Sequence, residues 1–272
     1  MSAARGPLNE LFDIASRTDP GSVREVNEDH CATFYAADCA GLIVADGVSS
    51  FNGGDVASRL AVETTQAAFL NQDASLPLAK RLYRAVQRAN IAVHDLALAV
   101  PELRSMATTL TAVLLGREEL YAAHIGDCRL YLLRAGRFQQ LTRDHNVAGE
   151  RSRLGLLSKA RARNHPGKST LTRSLGRDLV ARIDQFTSPV AADDVLMMCS
   201  DGIHGMVDDE DLLHLCLAPS AEVACQQLIM VANSRGAPDN VTAAVARVSR
   251  ALPARPARRG FFGALSGRFG SR

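Results

Sequence analysis

The chain of 272 residues lacks any CxxC pair, any long apolar run and any internal repeat. Its six cysteines lie mostly within apolar segments, which favours reduced core thiols and argues against a disulfide framework or a zinc site. No stretch is long enough to cross a bilayer, and residues 1–21 lack the continuous apolar core of a signal peptide. These absences predict a cytoplasmic protein.

The hydrophobic content of 47% is sufficient for one large domain with short extensions. The whole chain carries +2, and residues 249–272 hold six arginines and no lysine or acid, so residues 1–248 carry −4. A mildly acidic body argues against a nucleic-acid partner and suits divalent cations. The glycine-rich basic tail predicts disorder, with contact to an anionic membrane surface through Phe261-Phe262 and the arginines as the alternative.

Apolar periodicity predicts the order of strands and helices. Strands are predicted at 31–35, 42–45, 108–115, 120–125, 129–133, 183–187, 195–199 and 241–248, and helices at 54–70, 78–99, 209–217 and 220–234. The three runs between 108 and 133 are interpreted as an antiparallel meander. Ser220 is the predicted N-cap of the last helix, and Gly236 its stop. Strands at both ends with helices between them predict an α+β fold with layered sheets.

Two of the apolar strands lead into an Asp-Gly pair, Asp46-Gly47 and Asp201-Gly202. A single Asp-Gly is far more often a turn than a ligand. Four further acids lie at strand ends or turns, namely Glu28, Asp29, Asp127 and Asp239. Sheets can bring such acids together, and Mg²⁺ and Mn²⁺ prefer oxygen ligands. Each acid alone is more simply a solvated turn residue, and only the set indicates a cation site.

Arg24 lies close in sequence to Glu28 and Asp29. A guanidinium matches phosphate oxygens as a fork, so Arg24 is a candidate phosphate clamp. The alternative is a surface ion pair with a nearby acid. The residues alone therefore predict metal-assisted chemistry on an anionic substrate and go no further.

Eight motifs in order resemble those of the PP2C-type, metal-dependent protein serine/threonine phosphatases in their bacterial form. They are Arg24-Glu25-Val26-Asn27-Glu28-Asp29, Val44-Ala45-Asp46-Gly47, Ala107-Thr108-Thr109, His124-Ile125-Gly126-Asp127-Cys128-Arg129, Leu141-Thr142-Arg143-Asp144-His145, Leu171-Thr172-Arg173-Ser174-Leu175-Gly176, Ser200-Asp201-Gly202 and Asp239-Asn240-Val241-Thr242. Each motif is weak alone, whereas eight in the right order are highly specific. The similarity extends from about Thr18 to Val248.

The resemblance implies a β-sandwich of two antiparallel sheets flanked by helices, in α-β-β-α layers. The implied domain spans 18–248, with a lead at 1–17, an inserted flap at about 146–168 and the tail at 249–272. Two cations, Mn²⁺ or Mg²⁺, are implied at one end of the sandwich. By the motif match, Asp46 bridges them, Asp201 and Asp239 complete one, and the Gly47 carbonyl contributes to the other. Glu28 and Asp29 hold metal-bound waters, Arg24 binds the substrate phosphate, and Asp127 matches the ligand of a weaker third ion.

The implied reaction is hydrolysis of phosphoserine and phosphothreonine by a water or hydroxide that bridges the two metals, without a covalent phosphoenzyme. The implied partners are a phosphorylated protein and a cognate bacterial serine/threonine kinase, and a monomer is expected. One alternative is a regulatory binding module of the same fold with weak or no turnover. Another is a different metal-dependent phosphoesterase or nuclease, which the acidic body and the motif set disfavour.

The sequence departs from the family pattern in three places: the loop after Gly47, Gly205 and the basic flap. The loop after Gly47 reads Val48-Ser49-Ser50 where bacterial members usually have Met-Gly-Gly, and Val48 cannot supply the acid that a histidine provides in some eukaryotic members. Gly205 replaces a common aspartate of the third site, which is therefore expected to be weak or absent.

The flap is unusually basic, with six cations: Arg151, Arg153, Lys159, Arg161, Arg163 and Lys168. It is either a solvated mobile loop or a device that steers an anionic phosphopeptide toward the site. His165 and His204 are candidate acids, although lone histidines more often pack or lie on the surface. His124, on an apolar strand, is expected to be a core residue.

Overall fold

The structure is a computed structural model that describes residues 7–48 and 53–250. Its strands are β1 (Phe12–Asp19), β2 (Asp29–Tyr35), β3 (Ala40–Val48), β4 (Ala107–Thr108), β5 (Leu110–Leu115), β6 (Glu119–Ile125), β7 (Arg129–Arg134), β8 (Arg137–Gln140), β9 (Asp184–Pro189), β10 (Val195–Cys199) and β11 (Val241–Val248). Its α-helices are α1 (Leu8–Leu11), α2 (Gly54–Leu70), α3 (Leu78–Ala99), α4 (Val147–Arg153), α5 (Lys159–Arg163), α6 (Asp201–His204), α7 (Asp209–Cys216) and α8 (Ala221–Ser234). Short 3₁₀ helices lie at Pro101–Leu103 and Pro166–Ser169.

The strands form two antiparallel sheets. One has the order β1-β11-β10-β7-β8, and the other has the order β2-β3-β5-β6-β9, with β4 paired to β3. The predicted meander over 108–133 is wrong, because β5 pairs with β6 while β7 pairs with β10 in the other sheet. The chain crosses between the sheets after Gly126, whose φ of 106° is readily adopted by glycine. Periodicity reports that a strand exists but not which sheet it joins.

Strand β3 shows how the layers are built. Leu42 and Val44 pack into the core between the two sheets, whereas Ile43 and Ala45 pack into the core beneath α2 and α3. Burial on both faces explains why this run is continuously apolar instead of alternating. A third core lies between the other sheet and helices α7 and α8. The layers therefore follow the order α-β-β-α, which confirms the expected α+β sandwich.

Part of the segment predicted to be an N-terminal lead forms a strand of the sandwich. Strand β1 pairs with β11 along its whole length, from Phe12 opposite Val248 to Asp19 opposite Val241. Residues 12–17, assigned above to a lead, are thus most of an edge strand, and Phe12 is fully buried. Buried and exposed residues do not alternate regularly along β1. Its sequence therefore lacks the alternation of apolar and polar residues by which a strand is recognised. Residues 1–6 and the tail at 251–272 lie outside the described residues.

Several local predictions are confirmed. Helices α2 and α3 occupy the ranges expected from periodicity, and the Ser220 side chain accepts a hydrogen bond from the Val223 amide at 3.2 Å. All six cysteines are free thiols, five of them buried. The flap contains α4, α5 and the second 3₁₀ helix.

None of the helices in the described ranges has the length and apolar character needed to cross a membrane.

Candidate functional site

Five aspartates converge at one end of the sandwich because the register of the strands brings their ends together. Asp29 in β2 lies opposite Asp46 in β3. Asp201 follows β10 and Asp239 precedes β11, and these strands are antiparallel neighbours. Asp127 lies in the crossover from β6 to β7, whose first residue is opposite the last residue of β10. Four distant parts of the chain thereby contribute carboxylates to one region.

Burial, reinforced by mutual repulsion, dominates the electrostatics of this cluster. Burial raises the pKa of Asp46 well above its ordinary value, and the charges of Asp29, Asp201, Asp127 and Asp239 raise it further. Burial likewise raises the pKa of Asp29 to about 7 and that of Asp127 to about 8. The pKa of Asp201 rises to about 6, through burial and then Asp239. Carboxylates that raise one another's pKa form a charge cluster that a divalent cation would neutralise.

The backbone around Asp46 is held by two threonines of the Ala107-Thr108-Thr109 motif. The Asp46 amide donates to Thr109 Oγ1 at 2.9 Å, and Thr108 Oγ1 donates to the Asp46 carbonyl at 2.9 Å. Both threonines are buried. The carboxylate of Asp46 accepts no hydrogen bond from the described residues, so its oxygens are available to an incoming ligand.

Gly47 and Glu28 are in close backbone contact. The Gly47 amide donates to the Glu28 carbonyl at 2.9 Å. A Cβ at position 47 would lie 2.2 Å from the Gly54 carbonyl oxygen, so only glycine fits there. The Glu28 carboxylate lies against Gly54, where a Cβ would be 2.6 Å from its Oε1. This places the Glu28 side chain at the first turn of α2, where the helix dipole favours a negative charge.

Ser200 links three strands behind the aspartates. Its hydroxyl donates to Asp29 Oδ2 at 2.6 Å and accepts from the Thr242 amide at 3.1 Å. Ser200 is fully buried. It orients Asp29 without being a ligand itself, and the sequence reasoning assigned it no role. Its position immediately before Asp201, in the Ser200-Asp201-Gly202 motif, was the available signal.

Asn240 is the second residue to which the sequence reasoning assigned no role. Its side-chain oxygen accepts from the Glu28 amide at 2.8 Å, and its amide group donates to the carbonyls of Pro20 and Val26. The loop that carries Arg24 and Glu28 is therefore fixed beside Asp239. A Cβ on Gly202 would lie 2.0 Å from the Asn240 carbonyl oxygen, so the two Asp-containing loops pack backbone to backbone.

Arg24 lies at the exposed rim of the cluster. Its guanidinium donates to Asp239 Oδ2 at 3.0 Å, and half of its side chain is exposed. This contact matches the alternative of a surface ion pair, although the acid is Asp239 and not Glu28 or Asp29. The other N–H groups of this guanidinium make no hydrogen bond to the described residues. They can donate hydrogen bonds to a phosphate oxygen while the ion pair with Asp239 persists.

Asp127 differs from the other aspartates because the flap already contacts it. Its Oδ2 accepts from Asn146 Nδ2 at 3.1 Å, and Asn146 is the residue at which the flap begins. Its carbonyl accepts from His204 Nε2 at 3.1 Å. Gly205 follows His204 and contributes no side-chain oxygen.

The three histidines singled out in the sequence have structural contacts. His124 is buried and its Nε2 donates to the Arg143 carbonyl at 3.0 Å, which confirms a core histidine. His204 is buried, and burial followed by the charge of Arg129 lowers its pKa to about 3. A neutral imidazole whose N–H is engaged by a carbonyl is a poor general acid. His165 Nδ1 accepts from the Gly167 amide within the flap.

The chemical type of the donor atoms in this cluster suits a hard divalent cation. They are carboxylate oxygens together with the backbone carbonyl of Gly47, which are the ligands that Mg²⁺ and Mn²⁺ prefer. Within residues 7–48 and 53–250, no three His, Cys, Asp or Glu side chains are grouped closely enough to hold an ion by themselves. Mg²⁺ usually keeps several waters, so a site with few direct side-chain ligands suits it. Residues 49–52, which include most of the unusual Val48-Ser49-Ser50 loop, lie outside the described residues.

Comparison with known proteins identifies the family. The protein phosphatase 2C family pattern matches residues 22–235. The chain is 37% identical over 235 residues to the serine/threonine phosphatase stp of Listeria welshimeri, covering 83% of this chain and 92% of that protein. It is 35% identical over 242 residues to the serine/threonine protein phosphatase PstP of Mycobacterium tuberculosis, covering 88% of this chain and 45% of that protein.

A solved structure supports the same relationship. The crystal structure of the catalytic domain of PstP in complex with two manganese ions superposes with a TM-score of 0.77 at 32% identity, covering 88% of this chain and 99% of that one. Sequence pattern, relatives and fold agree over the same part of the chain. The chain therefore belongs to the protein phosphatase 2C family.

Proposed function

We propose that Asp46, Gly47, Asp201 and Asp239 hold the two divalent cations of this enzyme and that Arg24 binds the substrate phosphate. The chain is a metal-dependent protein serine/threonine phosphatase, and its cofactor is Mn²⁺ or Mg²⁺. The assignment of residues is supported by one observation above all: aspartates from four distant segments meet at one end of the sandwich and raise one another's pKa.

The cations supply the strongest chemical effect when bound, because they lower the pKa of a water to near neutrality and withdraw charge from the phosphoryl oxygens. The protein holds the reacting groups in place. Ser200 occupies one oxygen of Asp29, so the other oxygen can accept a hydrogen bond from a water. The Glu28 carboxylate, which lies against Gly54 at the start of α2, can also accept a hydrogen bond from a water. Arg24 stabilises negative charge on the phosphate.

The leaving group is an alkoxide of serine or threonine and needs a proton. Val48 has no acidic group, and His204 is buried and neutral. Among the described residues near the cluster we therefore assign no general acid, and solvent is the proposed proton donor. The product is inorganic phosphate with a free hydroxyl side chain.

We propose that the enzyme operates with two ions and that Asp127 is mainly an anchor for the flap. One contact supports this: Asn146, the first residue of the flap, donates to the Asp127 carboxylate. The bond from His204 to the Asp127 carbonyl holds the backbone of Asp127 against α6. Gly205 adds no oxygen ligand. No observation favours the alternative of a regulatory module without turnover. Asp46, Asp201 and Asp239 are all present, and the charges of Asp201 and Asp239 raise the pKa of Asp46.

The physiological setting is also part of the proposal. Six free thiols, five of them buried, suit a reducing compartment, and we place the enzyme in the cytoplasm. Its substrates are phosphorylated proteins, and we propose that a bacterial serine/threonine kinase produces them.

The direct test is phosphate release from a phosphothreonine peptide and from p-nitrophenyl phosphate by the full chain. We expect turnover of both with Mn²⁺ or Mg²⁺ and none with EDTA, since the aspartates alone only repel a phosphate. Addition of excess Mn²⁺ after EDTA should restore the rate. Absence of metal-dependent release, or release that continues in EDTA, would contradict the proposed function.

The role of Arg24 has its own test. The Arg24→Gln variant should raise the KM for the phosphopeptide about tenfold, since a hydrogen bond to a charged group contributes roughly 1.5–3 kcal/mol and 1.4 kcal/mol is a factor of ten. The Mn²⁺ concentration for half-maximal rate should not rise, because removing the partner of Asp239 leaves that ligand free. Steady-state kinetics measures both.

Arg17→Gln is the matched control, since Arg17 is equally exposed and also pairs with an acid, Glu222, outside the cluster. It should leave both kinetic constants unchanged. Equal KM values for the Arg24 and Arg17 variants would remove Arg24 from the substrate site.

A further inference from the structure

A cavity of about 1770 Å³ lies between the flap and the body of the enzyme. Asp127, Asp201 and His204 line it on the side of the aspartate cluster, and Lys159, Arg163 and Lys168 line it on the side of the flap. The cavity is therefore continuous with the proposed site of phosphate hydrolysis. A peptide whose phosphate reaches the cluster can place its flanking residues here.

The six flap cations, equivalent in the sequence, are not equivalent in the structure. Arg153 pairs with Glu150, with a distance of 2.9 Å between Nε and Oε2. Arg163 donates to the carbonyls of His204 and Val207. Arg151 and Arg161 are exposed and do not line the cavity. Of the six flap cations, only Lys159 and Lys168 line the cavity, are exposed and have no acidic partner among the described residues.

The flap is attached to the body at two points, which fixes where these lysines lie. Asn146 binds the Asp127 carboxylate at the start of the flap. Arg163 binds the Val207 carbonyl at 2.7 Å, just after α6. Lys159 and Lys168 flank Arg163 in the sequence, and both line the cavity together with Asp201. Both lysines therefore lie on the wall of the cavity, on a segment that is attached to the body of the enzyme.

Outside the aspartate cluster, the rest of the cavity wall also carries more unpaired cations than unpaired acids. Arg143, Arg177 and Arg182 line it, are exposed and lack an acidic partner among the described residues. Three of the lining acids are already paired: Asp144 with Arg129, Glu150 with Arg153 and Asp184 with Arg173. Four lining acids have no such pair, namely Asp127 and Asp201 of the aspartate cluster and Asp178 and Asp209 outside it, against five unpaired cations, Lys159, Lys168, Arg143, Arg177 and Arg182. Unpaired cations outnumber unpaired acids, so the cavity favours an anionic occupant.

We infer that Lys159 and Lys168 form a second anion subsite, which binds a carboxylate or phosphate group near the scissile phosphate in the same peptide. This inference depends on the proposed function, because it specifies the substrate class of that same site. Substrates with acidic or additionally phosphorylated flanks are preferred. The subsite acts on substrate affinity, since neither lysine reaches the aspartates closely enough to form an ion pair.

The test compares two double variants that remove the same charge from the flap. Lys159→Gln with Lys168→Gln removes the cations that line the cavity, and Arg151→Gln with Arg161→Gln removes two that do not. The substrates are phosphothreonine peptides of one sequence, flanked by glutamine, by glutamate or by a non-hydrolysable phosphonate residue. The glutamate and phosphonate arms separate carboxylate from phosphate recognition. Thermal unfolding verifies that every variant is folded.

We expect the wild type to favour the anionic flanks by about fivefold in kcat/KM, mainly through KM, since exposed ion pairs contribute up to about 1 kcal/mol each. The lysine double variant should lose this preference and the arginine double variant should keep it. Added salt should also reduce it. Fluorescence anisotropy with the same peptides on an Asp46→Asn background should give the same ranking of affinities without turnover.

Hydrolysis of p-nitrophenyl phosphate with Mn²⁺ distinguishes a failure of the anion subsite from a failure of the proposed phosphatase function. If the wild type hydrolyses it and both double variants do so equally, the chemistry is intact. An unchanged preference for anionic flanks in the lysine double variant would then overturn the subsite, as would an equal loss in the arginine double variant. Failure of the wild type to hydrolyse it would count against the proposed function instead.

Discussion

The Asp46→Asn substitution will abolish metal-dependent phosphate release, lowering kcat by about a thousandfold or more. Asp46 is the aspartate on which the charges of all four others act, and it is the proposed bridge between the two cations. Loss of several kcal/mol of stabilisation by the ions corresponds to this factor, since 1.4 kcal/mol is tenfold in rate. Phosphate release from the phosphothreonine peptide with Mn²⁺ measures the effect.

The same substitution makes a prediction for stability that does not depend on turnover. Removing one of several repelling charges should make the metal-free variant at least as stable as the metal-free wild type at pH 8. Mn²⁺ should raise the unfolding temperature of the wild type, because a ligand that binds the native state stabilises it by mass action. The variant should show little or no such rise.

Asp194→Asn is the matched control, because Asp194 is a buried aspartate outside the cluster. It pairs with Arg134 and accepts from the Ala191 amide. Its loss should lower the unfolding temperature but leave the Mn²⁺-induced stabilisation and the metal dependence of turnover intact. An Asp46→Asn enzyme that retains both would refute the assignment of Asp46 as a metal ligand.

The metal-free enzyme will lose stability as the pH rises from about 5 to 8. Asp29, Asp127 and Asp201 have pKa values of about 7, 8 and 6 in the folded protein, all above the ordinary value of 3.8. A raised pKa means that the folded state favours the protonated form. The associated stability is fully present below the unfolded pKa and is lost as the pH rises through the folded pKa. The shift of Asp29 alone corresponds to roughly 4 kcal/mol.

Denaturant unfolding in EDTA across this pH range measures the effect. With saturating Mn²⁺ the curve should be flatter or inverted, since cations neutralise the ionised carboxylates. The Asp46→Asn variant in EDTA should also show a shallower slope, because each remaining carboxylate loses one repelling neighbour. A stability in EDTA that rises between pH 5 and 8 would contradict the electrostatic description of the cluster.

The sequence by itself determined the elements and the chemistry. Helices α2 and α3 and strands β3, β10 and β11 are long or strongly apolar, so local periodicity identifies them before any tertiary contact is known. The ordered motifs identify the family, and the all-oxygen set of Asp46, Asp201 and Asp239 predicts divalent cations. These properties depend on residue type and spacing, which the sequence states directly.

Tertiary structure alone decided which sheet each strand joins and which polar groups face one another. Strand β7 pairs across the sandwich with β10, and β1 completes a sheet through β11, since strand pairing is a non-local choice that periodicity does not encode. Ser200 and Asn240 matter because their hydrogen bonds join segments more than 170 residues apart in sequence. The same holds for the flap, whose six similar cations differ in burial, pairing and position. Among the described residues, only Lys159 and Lys168 of these six line the cavity, are exposed and lack an acidic partner.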